Sequence, residues 1–308
     1  MNRRSFIQRA GMAGLLTYAG GLPLDVLARQ ELIKLTILHT NDVHSRVEPF
    51  PMDGTRNAGQ GGAARRAQLI ASIRQQEEHV LLLDAGDIFQ GTPYFNMFGG
   101  ELEFKLMSEM KYDAATIGNH DFDAGVDGLA KQMPHAKFPL IISNYDMEDT
   151  PMQGKTLDHK IFEKGGMKIG VFGLGIELDS LVPASLYGGT QYFEPVGRGQ
   201  SMATRLKHDE KCDYVICLSH LGFRYRHDKI SDVTLAAVTK DIDLILGGHT
   251  HTFMNHPEIV KNLDGDPVYI NQVGWAGLRL GRIDIHLERN KKNKCLTCEN
   301  LWIDGSNG

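Results

Sequence analysis

Residues 114–123 read Ala-Ala-Thr-Ile-Gly-Asn-His-Asp-Phe-Asp, a short apolar run that stops at a cluster of polar side chains. The run Ala114–Ile117 is typical of a buried strand. Gly118–Asp123 then supplies an amide, an imidazole and two carboxylates. Ligands of open α/β sheets bind beyond the carboxyl ends of the strands, so this segment predicts a strand that leads into a site.

Four further strand-like runs end in the same way, and this recurrence carries more weight than any single motif. A D-x-H or an isolated histidine occurs by chance in many chains, whereas five polar clusters in order, each after a strand, do not. The other four are Leu32–Thr40 with Asn41-Asp42-Val43-His44, Leu81–Leu83 with Asp84-Ala85-Gly86-Asp87, Ile216–Leu218 with Ser219-His220, and Leu244–Leu246 with Gly247-Gly248-His249-Thr250-His251.

Amphipathic stretches separate these runs, which is the pattern of an α/β domain. In the first stretch, Ala67, Ile70 and Ile73 share one helical face. The predicted helices are Gly61–His79, Glu101–Tyr112, Gly199–His208 and Ser231–Lys240.

The domain organisation that we expect is simple. No linker interrupts residues 29–290, so these residues are expected to form a single domain. Near its end, Val268–Asn271 and Leu278–Leu287 are expected to form a closing β-hairpin or a sheet edge. Residues 291–308, Lys-rich and then Gly/Asn-rich, are expected to be a poorly ordered C-terminal tail.

The composition is that of a globular protein with an acidic balance. The chain has 308 residues, 42% of them hydrophobic and 23% charged, and its formal net charge is −5. Residues 1–28 hold three arginines and one aspartate, so without them 30 basic residues face 37 acidic ones and the net charge is −7. Nonspecific nucleic-acid binding depends on Lys and Arg, and we therefore expect no nucleic-acid partner.

Residues 1–28 resemble a twin-arginine export signal rather than part of the fold. Arg3 and Arg4 are adjacent, an uncharged stretch runs from Ala10 to Leu24, and Val26-Leu27-Ala28 fits a cleavage site. The uncharged stretch is shorter than the roughly 20 residues that span a bilayer. We expect a periplasmic or otherwise exported protein, with membrane contact only if the signal stays uncleaved as a tether.

Four cysteines are too few for a disulfide framework in a chain of this length. Cys212 and Cys217 flank a strand-like run and are expected to be buried thiols. Cys295 and Cys298 form a lone C-x-x-C, for which a local disulfide and two free thiols are both open. A zinc ribbon would need a second pair at similar spacing.

Seven residues of the five clusters have the side chains of metal ligands. Imidazole, carboxylate and amide donors together suit Zn, Mn or Fe without a thiolate. A tetrahedral zinc is complete with four ligands, so seven fit two divalent ions that share one carboxylate. Such a pair, about 3.5 to 4 Å apart, binds a phosphoryl group and holds a bridging hydroxide for attack. The seven residues are Asp42, His44, Asp87, Asn119, His220, His249 and His251.

The ordered blocks D-x-H, G-D, G-N-H-D-F-D, S-H-L-G and G-H-T-H resemble the calcineurin-like metallophosphoesterases. Within them, the resemblance is to the catalytic domain of bacterial 5'-nucleotidases of the UDP-sugar hydrolase type, and it covers the chain from Leu32 to Leu287. It implies a four-layer α/β/β/α sandwich with a dinuclear site at one end of the paired sheets.

The resemblance also implies how the ligands divide. Carried over to this sequence, it gives one ion Asp42, His44 and His251. It gives the other ion Asn119, His220 and His249, and it makes Asp87 the bridge between them.

His120 is not a ligand in this scheme, because in that family the histidine of the G-N-H block stabilises the transition state and is oriented by an aspartate three residues later, here Asp123. A histidine beside the site can hydrogen-bond the phosphoryl oxygens or protonate the leaving group, and a carboxylate behind it fixes its tautomer. Asp121 is the alternative partner of His120, or else a surface acid of the loop.

Full-length 5'-nucleotidases carry a C-terminal domain that grips the nucleoside, and we expect none here because the sequence stops at Gly308. The expected function is an exported phosphohydrolase that removes phosphate from 5'-nucleotides or related small phosphate esters. The alternatives are a catalytic half that needs a separate base-binding subunit, a phosphodiesterase or nucleoside-sugar diphosphate hydrolase, and a noncatalytic metal-binding scaffold. Retention of every ligand argues against the scaffold.

Substrate-binding residues remain open at this stage. Several aromatic residues lie near or after the motif loops and could contact a base, although core packing explains each as well. They are Tyr94, Phe95, Phe223, Tyr225 and Trp275. Arg224 and Arg226 could hold phosphate or belong to a solvated loop.

Overall fold

The computed structural model describes residues 32–288 and 294–304. The predicted export signal, residues 1–28, lies outside the described residues. Within these two ranges, no helix combines the length and the apolar character needed to span a membrane.

Strands and helices alternate, as the sequence pattern predicts. In chain order the strands are β1 (Leu32–Thr40), β2 (Val80–Asp84), β3 (Ala114–Ala115), β4 (Leu140–Ile141), β5 (Tyr145–Asp146), β6 (Thr156–Leu157), β7 (His159–Lys164), β8 (Met167–Leu174), β9 (Gln191–Tyr192), β10 (Tyr214–Ser219), β11 (Leu244–Gly247), β12 (Glu258–Lys261), β13 (Pro267–Asn271), β14 (Arg279–Glu288) and β15 (Lys294–Trp302). The α-helices are α1 (Ala63–Gln76), α2 (Pro93–Phe98), α3 (Glu101–Glu109), α4 (Gly125–Gln132), α5 (Ala184–Tyr187), α6 (Pro195–Thr204) and α7 (Asp232–Val238). Short 3₁₀ turns cover His120–Phe122 and Met133–His135, and a π-helical turn covers Arg205–Asp209.

Two large sheets organise the part of the chain that the structure describes. The first has the order β15-β14-β1-β2-β3-β4-β6, in which β1, β2, β3, β4 and β6 run parallel. The second has the order β12-β13-β11-β10-β8-β7, in which β13, β11, β10 and β8 run parallel. Strands β5 and β9 pair separately. Parallel pairing brings the carboxyl ends of the strands to one edge of each sheet, where the polar clusters follow.

Side-chain alternation along the strands builds three apolar layers. In β1, Leu35 and Ile37 pack between the two sheets, whereas Leu38 packs with residues of α1 and α3. In β10, Ile216 faces the space between the sheets and Val215 packs with residues of α6 and α7. The order helix, sheet, sheet, helix confirms the predicted α/β/β/α sandwich.

The expectation of a poorly ordered tail over residues 291–308 is wrong for residues 294–304, because Lys294–Trp302 form β15 at the edge of the first sheet. The rest of that predicted tail lies outside the described residues. This strand pairs antiparallel with β14, from Arg279 opposite Trp302 to Leu287 opposite Lys294. Leu296 and Cys298 pack on the core between the sheets, and Ile303 is buried against the first sheet. The Lys-rich start and the Gly/Asn-rich end of the segment suggest a tail, but the residues between them include apolar side chains that pack at that edge.

The closing hairpin or sheet edge predicted from Val268–Asn271 and Leu278–Leu287 is also wrong. Strand β13 lies between β12 and β11 in the second sheet, and β14 lies between β15 and β1 in the first. The connection crosses from one sheet to the other. It is held at the crossing by hydrogen bonds from Val273 N–H to the Asn41 side chain and from Ala276 N–H to the Asp42 carbonyl.

The predicted helix Gly199–His208 begins earlier in the structure, at Pro195. Proline at the first helical position lacks only an N–H that would have no helical partner. The Glu194 carboxylate accepts the N–H groups of Val196 and Gly197 and so caps the helix. Among the cysteines, Cys212 and Cys217 are buried free thiols as predicted and Cys298 is also free, whereas the side chain of Cys295 lies outside the described residues.

Candidate metal centre

The loops that follow β1, β2 and β3 in the first sheet meet the loops that follow β10 and β11 in the second. Glycines permit this approach. A Cβ atom on Gly118 would overlap the Asp87 carboxylate, and one on Gly248 would lie 2.8 Å from the Ala85 carbonyl oxygen. All seven predicted ligands lie in these five loops.

The first group of ligand types consists of Asp42, His44 and His251, whose candidate ligand atoms lie within 4.8 Å of one another. The Nε2 atoms of His44 and His251 are 3.0 Å apart. Nε2 of His251 is 3.4 Å from Oδ1 of Asp42, and Nε2 of His44 is 4.0 Å from the same oxygen. This spacing fits donors that surround one ion.

The second group consists of Asp87, His220 and His249, again within 4.8 Å. Nε2 of His220 lies 3.1 Å from Oδ2 of Asp87. The amide oxygen of Asn119 is 2.9 Å from Nδ1 of His249 and so joins this group. An amide oxygen supplies a neutral donor to an otherwise imidazole and carboxylate set.

Asp87 lies between the two groups. Its Oδ2 atom is 3.1 Å from Nε2 of His220 in one group and 3.9 Å from Nε2 of His44 in the other. Its Oδ1 atom accepts the backbone N–H of His120 at 2.8 Å. The oxygen that faces both groups is therefore Oδ2.

The hydrogen bonds of the histidines show which ring nitrogen of each is available to bind a cation. Nδ1 of His220 donates to the Ala85 carbonyl at 2.7 Å and Nδ1 of His44 donates to the Phe89 carbonyl at 3.2 Å, since a carbonyl only accepts. Each neutral ring then presents a lone pair at Nε2. Nε2 of His220 is buried, faces a carboxylate oxygen and makes no hydrogen bond. A cation bound between the Nε2 lone pair and the carboxylate oxygen would contact both acceptors and remove their mutual repulsion.

Burial and charge act in opposite directions on the two histidines of the second group. Burial lowers the pKa of His249 to about 4, which keeps its imidazole neutral and ready to bind metal. Burial also disfavours the charged form of His220, but the Asp87 carboxylate outweighs it and raises the pKa of His220 to about 10. The Asp87 carboxylate thus favours a positive charge beside Nε2 of His220, which a bound divalent ion would supply in place of a proton.

Left-handed backbone conformations are concentrated at the ligands. L-residues pay about 1–2 kcal/mol for this region, and such strain gathers at functional sites. Five of the seven predicted ligands adopt it: Asp42 (φ 51°), His44 (φ 50°), Asp87 (φ 56°), His249 (φ 70°) and His251 (φ 51°).

His120 lies beside both groups, with its ring centroid 5.3 Å from that of His44. Nδ1 of His120 and Oδ2 of Asp123 are 2.9 Å apart, so Asp123 is the carboxylate that orients the ring. This hydrogen bond raises the pKa of His120. Asp121 does not contact the ring: it is 2% exposed and binds backbone N–H groups of the loop after β2, so the alternatives of a partner for His120 and of a surface acid are both wrong for Asp121.

Comparison with known proteins agrees with this geometry. The family model described as calcineurin-like phosphoesterase matches residues 35–253, which include all five loops. This chain belongs to the calcineurin-like phosphoesterase family.

Relatives of this phosphoesterase include nucleotidases. It is 35% identical over 272 residues to a snake venom 5'-nucleotidase of Crotalus adamanteus, an alignment that covers 82% of this chain and 45% of the relative. The structure of a 5'-nucleotidase precursor from Thermus thermophilus matches with a TM-score of 0.80 at 28% identity, covering 89% of this chain and 55% of that chain. An NAD nucleotidase from Haemophilus influenzae matches with a TM-score of 0.79 at 26% identity, covering 88% of this chain and 50% of that chain. The chain spans about half the length of the curated relatives that it matches.

Two residues that support the ligands of the phosphoesterase site were not predicted in that role from the sequence. Asn41 is 1% exposed, donates to Oδ2 of Asp42 at 2.6 Å and accepts the N–H of Val273 at 2.9 Å, so it fixes the Asp42 carboxylate. Trp275 lies parallel to the ring of His251, with centroids 5.8 Å apart and an interplanar angle of 11°. Adjacency to Asp42 was the available signal for Asn41, whereas nothing in the sequence ties Trp275 to His251.

The other aromatic and basic candidates are engaged elsewhere. Arg224 pairs with Glu258 at 3.1 Å on the surface, and Arg226 is exposed. The remaining four aromatic residues have structural contacts: Tyr94 stacks on Phe98, Phe95 lies in the core, Phe223 packs on the outer face of the second sheet, and the Tyr225 hydroxyl donates to the Leu221 carbonyl.

Proposed function

We propose that this chain is a dinuclear metal-dependent phosphoesterase that removes phosphate from 5'-nucleotides or related small phosphate esters. The observation that carries the proposal is the Asp87 carboxylate, which lies between two groups of donors that each fit a divalent ion. The 5'-nucleotidases among the relatives support the substrate class.

Seven residues would hold the metals in this proposal. One ion takes Asp42, His44 and His251, the other takes Asn119, His220 and His249, and both take Asp87. Zn, Mn and Fe suit this donor set. Two such ions, when bound, would polarise the phosphoryl oxygens and lower the pKa of a water molecule so that it ionises near neutral pH. The ions also supply the positive charge that the acidic chain otherwise lacks.

His120 is the proposed catalytic side chain. Its Nδ1 atom is engaged by Asp123, which leaves Nε2 to hydrogen-bond a phosphoryl oxygen or to protonate the leaving oxygen. The raised pKa keeps a larger fraction of His120 in the proton-donating form.

Dinucleotides with a phosphoanhydride bond are a second candidate substrate class. The likeness to an NAD nucleotidase, whose TM-score is within 0.01 of the first solved structure named above, favours it. A separate nucleotide-binding subunit is a proposed partner for either substrate class.

The decisive experiment is phosphate release by the chain reconstituted with Mn²⁺ or Zn²⁺, from a 5'-mononucleotide, a dinucleotide and a generic phosphodiester in parallel. Hydrolysis of the mononucleotide is the expected result. His120→Ala should keep the bound metal and lose roughly 100-fold or more in kcat. Asp87→Asn should lose metal and activity together. Equal metal loss in both variants would contradict the division between ligands and catalyst.

Export completes the proposal. Residues 1–28 would carry the folded protein through a twin-arginine route, which allows metals to be loaded before export. A secreted reporter fused to residues 1–35 should lose export when Arg3 and Arg4 are both changed to Lys. Unimpaired export of that variant would contradict the proposal.

A further inference from the structure

The carboxylate of Asp121 is bound on both oxygens by backbone N–H groups. Oδ1 accepts the N–H of Ile88 at 2.9 Å and that of Phe89 at 3.1 Å. Oδ2 accepts the N–H of Asp87 at 3.1 Å and that of Gly118 at 2.8 Å. Three of these four donors belong to the loop that carries the proposed bridging carboxylate.

The backbone of that loop is shaped to receive an anion. Gly86 (φ 87°) and Asp87 (φ 56°) are consecutive left-handed residues. Successive N–H groups that point to one side of a loop form a concave nest for an anion. Here the anion is the side chain of Asp121, and the structure gives the N–H groups of Asp87, Ile88 and Phe89 no backbone carbonyl as acceptor.

The two loops bind each other reciprocally. Asp121, from the loop after β3, accepts N–H groups of the loop after β2. Asp87, from the loop after β2, accepts the N–H of His120 at 2.8 Å with its Oδ1 atom. The rotation of the Asp87 carboxylate is thereby restricted, and Oδ2 is left facing His220 and His44.

No other task accounts for this buried carboxylate. Asp123 orients His120, and the seven proposed ligands do not include Asp121. A carboxylate that is 2% exposed is costly unless its oxygens are hydrogen-bonded, and within the part of the chain that the structure describes its bonds go to the two loops of the site. We propose that Asp121 is a positioning residue that holds the loop of Asp87 in its metal-bridging conformation before any metal binds. This inference rests on the proposed dinuclear site.

Hydrogen exchange on the unaltered, metal-free chain tests the proposal without a variant. The amides of Asp87, Ile88 and Phe89 should exchange at least roughly 100-fold more slowly than in an unstructured peptide. Exchange at the unstructured rate, with protection only after Mn²⁺ is added, would mean that the metal orders the loop and would overturn the proposal.

Asp121→Asn provides the second test, because an amide can accept N–H groups through one atom only. Mn²⁺ affinity, measured by titration of the metal-free protein, should fall by roughly 10–100-fold. Asp113→Asn is the matched control: its carboxylate also accepts a backbone N–H of β2, that of Leu82 at 2.8 Å, but it lies away from the loops of the site. Affinity within threefold of the control would overturn the proposal. Both tests read out loop order and metal binding, so a chain that passes them and hydrolyses no nucleotide contradicts only the proposed function.

Discussion

At the scale of single residues, the site depends on acceptors that fix each imidazole. Carbonyl groups of Ala85 and Phe89 hold His220 and His44, and a carboxylate holds His120. The difference in acceptor matches the difference in proposed role. A carbonyl that accepts from Nδ1 fixes the tautomer and turns Nε2 toward the other donors of the metal group, whereas the Asp123 carboxylate raises the pKa of the ring that donates a proton.

Asp123→Asn tests this division. The variant should keep two bound metals and lose roughly 10–100-fold in kcat, because the ring of His120 loses the partner that orients it and raises its pKa. Metal content and steady-state kinetics are the measurements. Asp127→Asn, an exposed acid four residues later, is the control and should behave as the parent does. Loss of metal from Asp123→Asn would instead make Asp123 part of the metal centre.

His39 makes stability depend on pH, although it has no part in the site. Burial lowers its pKa from 6.5 to about 3, and its Nε2 atom accepts the Asn271 amide at 2.8 Å. Below pH 6.5 the unfolded chain binds a proton that the folded chain excludes, so the free energy of unfolding falls with pH until the folded group also titrates.

Metal-free protein should therefore lose up to about 1.4 kcal/mol of unfolding free energy per pH unit through His39, between about pH 6 and pH 4. Urea unfolding across this range measures the loss. His39→Gln keeps an acceptor for Asn271 and does not titrate, so its pH dependence should be shallower. Equal slopes for the two proteins would show that His39 contributes nothing.

At the scale of elements, the two sheets come into direct contact where β8 meets the end of β4. The Gly173 carbonyl accepts the N–H of Ser143 at 2.8 Å, and a Cβ atom on Gly173 would overlap the Ile141 carbonyl. This contact lies next to the carboxyl end of β8, beside the edge of the sheets where the site lies. It fixes how far apart the two sets of loops can be.

Gly173→Ala should consequently lower the free energy of unfolding by about 3 kcal/mol, because backbone atoms cannot move aside as a flexible side chain does. Gly197→Ala is the control: its Cβ atom would have ordinary contacts in α6 and should leave stability unchanged or raise it by up to about 1 kcal/mol. Denaturant unfolding compares them. A Gly173→Ala protein as stable as the control would mean that the sheets can separate there freely.

At the scale of the whole molecule, β15 completes the first sheet and ties it to the second. Trp302 stacks on Phe253 with centroids 6.0 Å apart, and the Arg279 guanidinium lies 4.0 Å from the centre of the Trp302 ring. The Ile303 carbonyl accepts the N–H of Gly61, just before α1. Residues near the end of the described chain therefore hold both sheets and the entry to the first helix.

Removal of residues 294–308 should lower the free energy of unfolding by at least about 3 kcal/mol, since buried Ile303 and the partly buried Leu296 and Trp302 are lost together. Removal of residues 305–308 alone is the control. Thermal and urea unfolding of both truncated proteins measure the difference. If the two proteins were equally stable, β15 would be dispensable.

Much of this architecture can be predicted from local pattern. Strand Leu32–Thr40 has the predicted bounds, because the run is long and rich in Leu, Ile and Thr. The predicted run Ala114–Ile117 pairs only over Ala114–Ala115, where its neighbours offer partners. The sequence of β15 mixes polar and apolar residues and does not itself indicate a strand. It becomes a strand because it pairs with β14 at the edge of the first sheet, and that edge exists only in the folded protein.

The sequence by itself determined the fold class, the residues that converge and the family, because strands followed by ligand residue types leave a local record. Only the tertiary structure decided which oxygen of Asp87 faces both groups, which aspartate orients His120 and where Asp121 binds. Most of those relations join residues of different loops, such as Asp87 and His220, and the site as a whole brings together His44 and His251, which are 207 positions apart. They depend on how two sheets pack and how loops bend into left-handed conformations. Neither property can be predicted from the spacing of residues along one segment.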